Sequence, residues 1–210
     1  MLPTARRLAR RAVELGANQK ISELTPLVRL LKRRELRTVV EIGTARGGTF
    51  ATWCALAEPD ALLVSIDLPG GAHGGGYSEQ DVERYRAHGR PGQRLHFLRA
   101  DSHAEETRDE LAAILAGAEV DFLMIDGDHT YEGVRADYEM YSPFVADGGV
   151  IAFHDILHHP QVPDCEVDRF WAELRETGET EEFTDPADER GWGQWGGIGV
   201  LHHRCPERPR

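Results

Sequence analysis

Residues 38–48 read Thr-Val-Val-Glu-Ile-Gly-Thr-Ala-Arg-Gly-Gly, a short apolar run followed by a glycine-rich turn that opens a helical stretch. This order is typical of a buried β-strand that turns tightly into an α-helix. Similar apolar runs, separated by longer stretches of helical periodicity, occur at residues 62–67, 95–100, 120–126 and 150–155. The chain therefore alternates strands with helices, as a βαβ protein does.

The predicted strands are apolar along their whole length, as in Phe122-Leu-Met-Ile125. Continuous apolarity is typical of strands covered by helices on both faces of a largely parallel sheet. Two further strand-like runs, residues 182–184 and 197–201, predict an antiparallel pair at the sheet edge. The predicted fold class is α/β, a Rossmann-like, doubly wound and mostly parallel sheet of seven strands with an antiparallel edge hairpin.

Two helices are predicted before the first strand, at residues 5–16 and 23–35. The other predicted helices cover residues 47–58, 103–116, 131–145 and 165–176. A chain of 210 residues is about one domain long, so we predict a single domain over residues 1–210. Within it, residues 1–36 form a helical extension and residues 37–203 form the Rossmann-like core.

Composition and charge exclude several classes of protein. With 40% hydrophobic and 29% charged residues the chain is globular in composition, and its net charge of -12 argues against nucleic-acid binding. The first 40 residues nevertheless hold ten Lys and Arg against three Glu. No apolar run is long enough to span a bilayer and no secretory signal is visible, so we expect a cytoplasmic protein that does not bind membranes.

Polar side chains lie at the carboxyl ends of the predicted strands. An open parallel sheet binds its ligands beyond these ends. The first strand closes on Glu41-Ile-Gly43, and the second closes on Asp67, which is 24 residues after Gly43. That spacing is near the ~20 residues at which a carboxylate accepts hydrogen bonds from ribose hydroxyls. The glycine turn places backbone N–H groups against the same ligand. We therefore predict a ligand that contains adenosine.

The glycine turn favours one such ligand over another. A dinucleotide fingerprint would fall on Gly43, Ala45 and Gly48, so alanine replaces the middle glycine that a pyrophosphate needs. S-adenosylmethionine has the same ribose and no phosphate, and its cationic groups would be attracted by the Glu41 carboxylate. The turn alone is a weak signal, since any α/β protein contains one.

Three segments together resemble a known family. Asp121-Phe-Leu-Met-Ile-Asp-Gly-Asp-His-Thr-Tyr-Glu132, Gly148-Gly-Val-Ile-Ala-Phe-His-Asp-Ile156 and residues 41–49 resemble class I methyltransferases of the macrocin O-methyltransferase and cephalosporin hydroxylase type. These are small bacterial enzymes that use S-adenosylmethionine, and the resemblance covers residues 17–203. It implies that the turn Gly43 to Gly48 holds the methionine part. The remaining positions carried over are Asp67 for the ribose and Asp101 with Ser102 for the adenine. The cofactor-binding set is therefore Glu41, Gly43, Thr44, Gly47, Asp67, Asp101, Ser102 and Asp126.

The resemblance also implies a metal site and a catalytic base. Similar sugar methyltransferases bind a divalent cation, Mg²⁺ or Mn²⁺, through carboxylates here matched by Asp126 and Asp155, and carry their base at the position of His129. His154 stands where relatives often have a second aspartate, so the site either prefers an ion softer than Mg²⁺ or uses His154 as a base without metal. The predicted catalytic residues are Asp126, His129 and His154, and the predicted metal ligands are Asp126, His154 and Asp155.

The predicted function is methyl transfer from S-adenosylmethionine to a hydroxyl oxygen of a small molecule, such as a sugar or glycosylated natural product, with metal assistance left open. The cationic helices either cover the acceptor site or form a homodimer interface. Two alternatives remain: an oxidoreductase, dinucleotide-dependent or with iron at His129, His154 and Asp155, and a non-catalytic adenosyl-ligand-binding protein.

Several residues have a purely structural interpretation that competes with a functional one. Asp101 and Asp128 precede predicted helices and are expected to cap them. Phe170 and Trp171 are expected in the core. Residues 69–77 form either a mobile lid or a solvated loop. Four histidines are expected in exposed loops: His158, His159, His202 and His203. Two tryptophans, Trp192 and Trp195, are expected to cap an acceptor pocket or a subunit interface.

Overall fold

Seven strands form one sheet in a computed structural model that describes residues 3–71, 76–187 and 194–205. The strands are β1 (Thr38–Ile42), β2 (Leu62–Ile66), β3 (Arg94–Leu98), β4 (Val120–Ile125), β5 (Val145–Leu157), β6 (Glu179–Phe183) and β7 (Gly196–His202). The helices are α1 (Ala5–Glu14), α2 (Ile21–Leu31), α3 (Gly48–Leu56), α4 (Glu79–Arg86), α5 (Glu105–Leu115), α6 (Tyr131–Tyr141) and α7 (Val167–Leu174). None of the described helices is long and apolar enough to cross a membrane.

The strand order is β3-β2-β1-β4-β5-β7-β6. Strands β1 to β5 pair in parallel, and β7 pairs antiparallel with both β5 and β6. The predicted doubly wound sheet with an antiparallel edge is therefore confirmed. The chain winds outward from β1 to β3 and then returns to β4, so the order reverses between β1 and β4. A crevice opens beyond the carboxyl ends of the strands at such a reversal, and it is the usual ligand position.

Apolar clusters cover both faces of the sheet. Neighbouring residues of one strand point to opposite faces, so Val40 belongs to one cluster and Val39 to the other. The first cluster packs the sheet against α5, α6 and α7, and the second packs it against α1, α2 and α3. This arrangement explains why β1 and β2 are buried at every position.

The two N-terminal helices pack directly on the core. Helix α1 approaches the start of α3 so closely that a Cβ atom at Gly48 would lie 2.3 Å from the carbonyl oxygen of Ala12. Helix α2 contributes Leu24 and Leu27, both fully buried, to the second cluster. The residues between these helices are thereby held next to the carboxyl end of the sheet.

Helices α4 and α6 and strand β5 differ from the sequence prediction. Helix α4 was not predicted, although Ser78 and Asp81 form a capping box at its start. Helix α6 ends at Tyr141 and not at residue 145, because Pro143 lies in a short 3₁₀ turn that cannot continue the helix. Strand β5 consequently begins at Val145, five residues before the predicted start.

Candidate active site

The turn after β1 is held by a buried carboxylate. Glu41 accepts hydrogen bonds from Thr44 Oγ1 at 2.7 Å and from Trp53 Nε1 at 2.6 Å, and its side chain is fully buried. Burial raises the pKa of Glu41 to about 7, against the opposing effect of these hydrogen bonds. Glu41 and Thr44 therefore shape the turn from behind, with Gly47 buried beside them. Glu41 is not among the residues that line the cavity described below, and its contact with a ligand stays a prediction.

The front of the turn faces a second carboxylate. Asp67, directly after β2, accepts a hydrogen bond from the backbone N–H of Ala45 at 2.6 Å. Ala45 has a left-handed backbone, with φ of 46°, and its carbonyl accepts a hydrogen bond from the Tyr85 hydroxyl at 2.8 Å. Both polar backbone groups of Ala45 are thus fixed, one by Asp67 and one by the unpredicted helix α4.

A cavity of about 370 Å³ lies beyond the ends of β1, β2 and β4. Pockets for small molecules and cofactors begin at about 300 Å³, so the cavity is large enough for a cofactor. The sequence-predicted residues that line it are Gly43, Asp67, Asp101, Ser102 and Asp126. Glu41, Thr44 and Gly47 lie behind its wall. The lining also includes Gly71 and Gly76, while residues 72–75 of the predicted lid lie outside the described part of the chain.

A charged pair that the sequence analysis did not identify adjoins the cavity. His103 lines the cavity, and its Nε2 lies 3.3 Å from Oδ1 of Asp137, which is fully buried on α6. The hydrogen bond to Asp137 raises the pKa of His103 to about 9, although burial opposes the shift. Asp101 Oδ1 accepts a hydrogen bond of 2.9 Å from the backbone N–H of His103, and this bond orders the turn before α5. The N-cap position of α5 is Ala104, which corrects the predicted capping role of Asp101.

This pair predicts a pH-dependent contribution to stability. Because the pKa of His103 is raised in the folded protein, its stabilising effect should be complete below about pH 6.5 and lost as the pH rises through about 9. We expect His103→Gln to lower the melting temperature most at pH 6, and the difference from the unaltered protein to shrink toward pH 9.5. The same substitution in an Asp137→Asn background is the control and should show no such trend. A difference that is constant with pH would contradict the assignment.

Four titratable side chains meet where β4 and β5 end, and we call them the site cluster: Asp126, His129, His154 and Asp155. His154 Nδ1 lies 3.1 Å from Asp126 Oδ1 and 3.4 Å from Asp155 Oδ2. His129 Nε2 lies 3.4 Å from Asp126 Oδ1, and its Nδ1 lies 3.4 Å from Asp155 Oδ2. Each histidine thus bridges both carboxylates, and Asp126 alone of the four lines the cavity. The structure brings together all the residues predicted as catalytic or metal-binding.

The site cluster holds its protons on the histidines. Burial by itself would lower the pKa of His129, but hydrogen bonds to Asp126 and Cys165 and the charges of both aspartates outweigh it and raise the pKa to about 10. Burial and the charge of His154 act in opposite directions on Asp155, whose pKa is lowered to about 2. An imidazolium cannot accept a proton. His129 can therefore act as a base only when another cation offsets the two carboxylates.

The donor set of the site cluster fits a divalent cation. Asp126, His154 and Asp155, the metal triad, offer one ligand atom each within 4.8 Å of one another. Asp155 Oδ1 is buried and has no hydrogen-bond partner among the described residues, and Asp155 has a left-handed backbone with φ of 61°. Two carboxylates with one imidazole suit Mn²⁺ or Zn²⁺ better than Mg²⁺.

The link between α1 and α2 supplies residues that the sequence analysis did not identify. Gln19 Nε2 donates a hydrogen bond of 2.7 Å to Asp126 Oδ2. Lys20, which is 3% exposed, donates to the carbonyl of Asp185, and the fully buried Glu23 accepts from the Asp185 N–H. Glu23 lies on the same helix face as Leu27, and a carboxylate on an apolar face is the signal that could have revealed it. Gln19 has no comparable signal.

The structure also shows the surroundings of the residues that were expected to have structural roles. Phe170 and Trp171 are buried, as predicted. Asp128 accepts from the Thr130 N–H, but Thr130 is the N-cap of α6. The expectation of exposed loop histidines holds for His158 alone. His159 is buried. His202 is half-buried and His203 is buried, because His202 ends β7 and His203 follows it. Trp195 is buried between Lys20 and His159, while Trp192 lies outside the described residues.

A comparison with protein-family models matches residues 40–156 to the family described as methyltransferase domain. The chain belongs to this methyltransferase family. The matched residues run from β1 through the whole site cluster, so the predicted resemblance to methyltransferases is confirmed. Uncharacterized protein y4gI of Sinorhizobium fredii is 31% identical over 144 residues, which are 66% of this methyltransferase and 15% of that relative. The chain thus spans only a small part of that relative's length.

Solved structures share the fold of this methyltransferase. The O-methyltransferase TomG from Streptomyces achromogenes, involved in tomaymycin synthesis and solved with S-adenosylmethionine, superposes with a TM-score of 0.59 at 16% identity, covering 96% of this chain and 91% of TomG. The MycE methyltransferase of the mycinamycin biosynthetic pathway, solved with Mg and S-adenosylhomocysteine, gives 0.62 at 14% identity, covering 100% of this chain and 57% of MycE.

Proposed function

We propose that this protein transfers a methyl group from S-adenosylmethionine to a hydroxyl oxygen of a small molecule, such as a sugar or a glycosylated natural product. The observation that carries the proposal is the cavity at the strand-order reversal, because it joins Asp67 to Asp126 and so to the site cluster. TomG and MycE, which share the fold, were solved with this donor or its demethylated product, which supports the same ligand here.

The cavity lining suggests how the donor is held. Asp67 is positioned to accept hydrogen bonds from the ribose hydroxyls, and Asp101 with Ser102 lies at the end proposed for adenine. The backbone at Gly43 borders the end nearest Asp126, which is the proposed place of the methionine part. The methyl group would then face the site cluster, where the acceptor oxygen must arrive in line with the bond that breaks.

The site cluster provides the acceptor chemistry. An alcohol is a poor nucleophile at neutral pH, so its proton must be removed as the new bond forms, and His129 is the proposed base. Asp126, His154 and Asp155 would hold a divalent cation, which stabilises the developing alkoxide and offsets the carboxylates that otherwise keep His129 protonated. Gln19 holds Asp126 in place through its hydrogen bond.

Calorimetric titration of the purified protein tests the donor. We expect S-adenosylmethionine to bind at micromolar concentration, both with EDTA and with added Mg²⁺ or Mn²⁺, and NAD⁺ not to bind. Binding of NAD⁺ in preference to S-adenosylmethionine would favour the oxidoreductase alternative. If neither ligand bound, the cavity would not be a cofactor site.

Asp67→Ala should weaken donor binding by about 1.5–3 kcal/mol, or roughly 10- to 150-fold in Kd, because the ribose hydroxyls lose a charged acceptor. Asp67→Asn is the matched control, since its side-chain oxygen can still accept from the Ala45 N–H. Comparing the two variants should therefore separate the effect of losing the negative charge from the effect of disturbing the turn after β1. Unchanged affinity in the alanine variant, measured by the same calorimetry, would show that the ribose binds elsewhere.

A further inference from the structure

A second group of metal-binding side chains adjoins the site cluster, and the proposed function does not use it as a group. His129, Asp155 and Cys165, here called the thiol triad, offer one ligand atom each within 4.8 Å of one another. Asp155 and Cys165 are buried, and His129 is half-buried. The thiol triad shares Asp155 with the metal triad.

The backbone around the thiol triad keeps these side chains together. The N–H of Glu166, the residue after Cys165, donates a hydrogen bond of 2.8 Å to the carbonyl of His129. The Cys165 N–H donates to the carbonyl of Val162 at 2.9 Å, which closes a tight turn. The loop that carries Cys165 is therefore tied to the loop that carries His129, and neither side chain has to move far to share a ligand.

Asp155, which the two triads share, carries a buried oxygen atom without a partner among the described residues. Asp155 Oδ1 has no hydrogen bond to any described residue, and Asp155 is only 5% exposed. An unpaired buried carboxylate oxygen is costly, so such atoms in proteins usually contact a water or an ion. Its left-handed backbone keeps the carboxylate in this position although that conformation is unfavourable for aspartate.

We propose that the thiol triad is a second cation site, which binds a borderline divalent ion such as Zn²⁺ through the His129 imidazole, the Asp155 carboxylate and the Cys165 thiolate. Thiolate and imidazole ligands select Zn²⁺ over Mg²⁺, which prefers oxygen. Tetrahedral zinc ligands lie roughly 3.3–3.8 Å apart. The distance of 3.4 Å between His129 Nδ1 and Asp155 Oδ2 is already within that range. Binding releases the proton of the Cys165 thiol and the proton on the coordinating nitrogen of His129.

The consequence for catalysis rests on the proposed function. An ion in the thiol triad occupies the lone pair with which His129 would accept a proton, so methyl transfer stops while it is bound. Because both triads share Asp155, the two ions compete. An ion such as Mn²⁺ in the metal triad would support the reaction, and Zn²⁺ in the thiol triad would inhibit it.

Cobalt titration of the full-length, metal-free protein tests the site without requiring donor or acceptor. Co²⁺ occupies zinc sites, and a bound thiolate gives a charge-transfer band in the near ultraviolet. We expect this band in the unaltered protein, its removal by added Zn²⁺, and its persistence in excess Mg²⁺. Cys165→Ser should abolish the band, and Cys205→Ser, which changes an exposed thiol far from the site, should retain it.

Two further variants make the result decisive. Asp126→Asn changes a ligand of the metal triad and none of the three ligands of the thiol triad, so it should retain the band. Loss of the band in this variant would overturn the proposal of a separate site. His129→Gln should keep a thiolate band but raise the Kd for Co²⁺ by at least about 10-fold, the loss already typical of outer partners of a metal ligand. This variant serves if Cys165→Ser does not fold. A band that survives in Cys165→Ser, or no band in the unaltered protein, would overturn the proposal while leaving the donor titration unaffected.

Discussion

Replacing His129 with alanine should lower kcat by roughly 10²–10⁴-fold while leaving the affinity for S-adenosylmethionine nearly unchanged. The imidazole bridges Asp126 and Asp155 and does not line the donor cavity, so its loss removes the proposed base without removing a donor contact. The measurement is transfer of a labelled methyl group to a hydroxylated acceptor that is first identified with the unaltered protein.

His158→Ala is the matched control for this substitution. The His158 side chain is 74% exposed, so its removal should change neither kcat nor donor affinity. A rate that is unchanged in His129→Ala would remove His129 as the base. If donor affinity fell together with the rate, His129 would be holding the site cluster together and not accepting the proton.

Gly43→Ala should destabilise the protein by about 2–5 kcal/mol and abolish donor binding. A Cβ atom at this position would lie 1.9 Å from the backbone oxygen of Asp126, and Gly43 has a φ of 82°. A left-handed backbone costs an L-residue about 1–2 kcal/mol, and overpacking adds about 1–3 kcal/mol. The collision would force β1 and β4 apart where Asp126 enters the cavity. Denaturant unfolding gives the stability, and calorimetry gives the donor affinity.

Gly117→Ala separates the cost of the left-handed backbone from the cost of overpacking. Gly117 has nearly the same φ, 88°, but nothing lies within 4 Å of the position of its Cβ atom. It should therefore show the backbone cost of about 1–2 kcal/mol alone and leave donor binding intact. Equal destabilisation by the two substitutions would mean that β1 and β4 adjust to the extra methyl group without strain.

The sheet could be predicted from the sequence because burial on both faces favours a continuous apolar run in each central strand, as at residues 122–125 of β4. Helix α4 could not, since it is polar and buries only Tyr85. Its capping box was a local signal too short to stand out. The early start of β5 was also missed, because Ala146 to Gly149 are small or polar residues that strands seldom contain.

Some residues of the candidate site could likewise be predicted from the sequence, and others could not. Asp67 and Asp126 follow apolar strands, so their position at the sheet edge could be inferred and the structure places both on the cavity. The position of Glu41 near the end of β1 could be inferred as well, but its hydrogen bonds to Thr44 and Trp53 could not, because they depend on how α3 packs on the sheet. Gln19 and Cys165 come from connections whose paths no local pattern determines, and tertiary packing alone brings them to the site cluster.

The contact between Gln19 and Asp126 has a consequence for how the protein is made. The two residues are 107 positions apart, and Gly196, at the start of the last strand, lies beside both Glu23 and His154. The first two helices therefore leave the ribosome long before the residues that they hold in place have been synthesised. Strand β7 lies between β5 and β6 and pairs with His154 through Ile198. A nascent chain stalled before that strand therefore contains the whole site cluster but lacks the strand that pairs with β5 beside it.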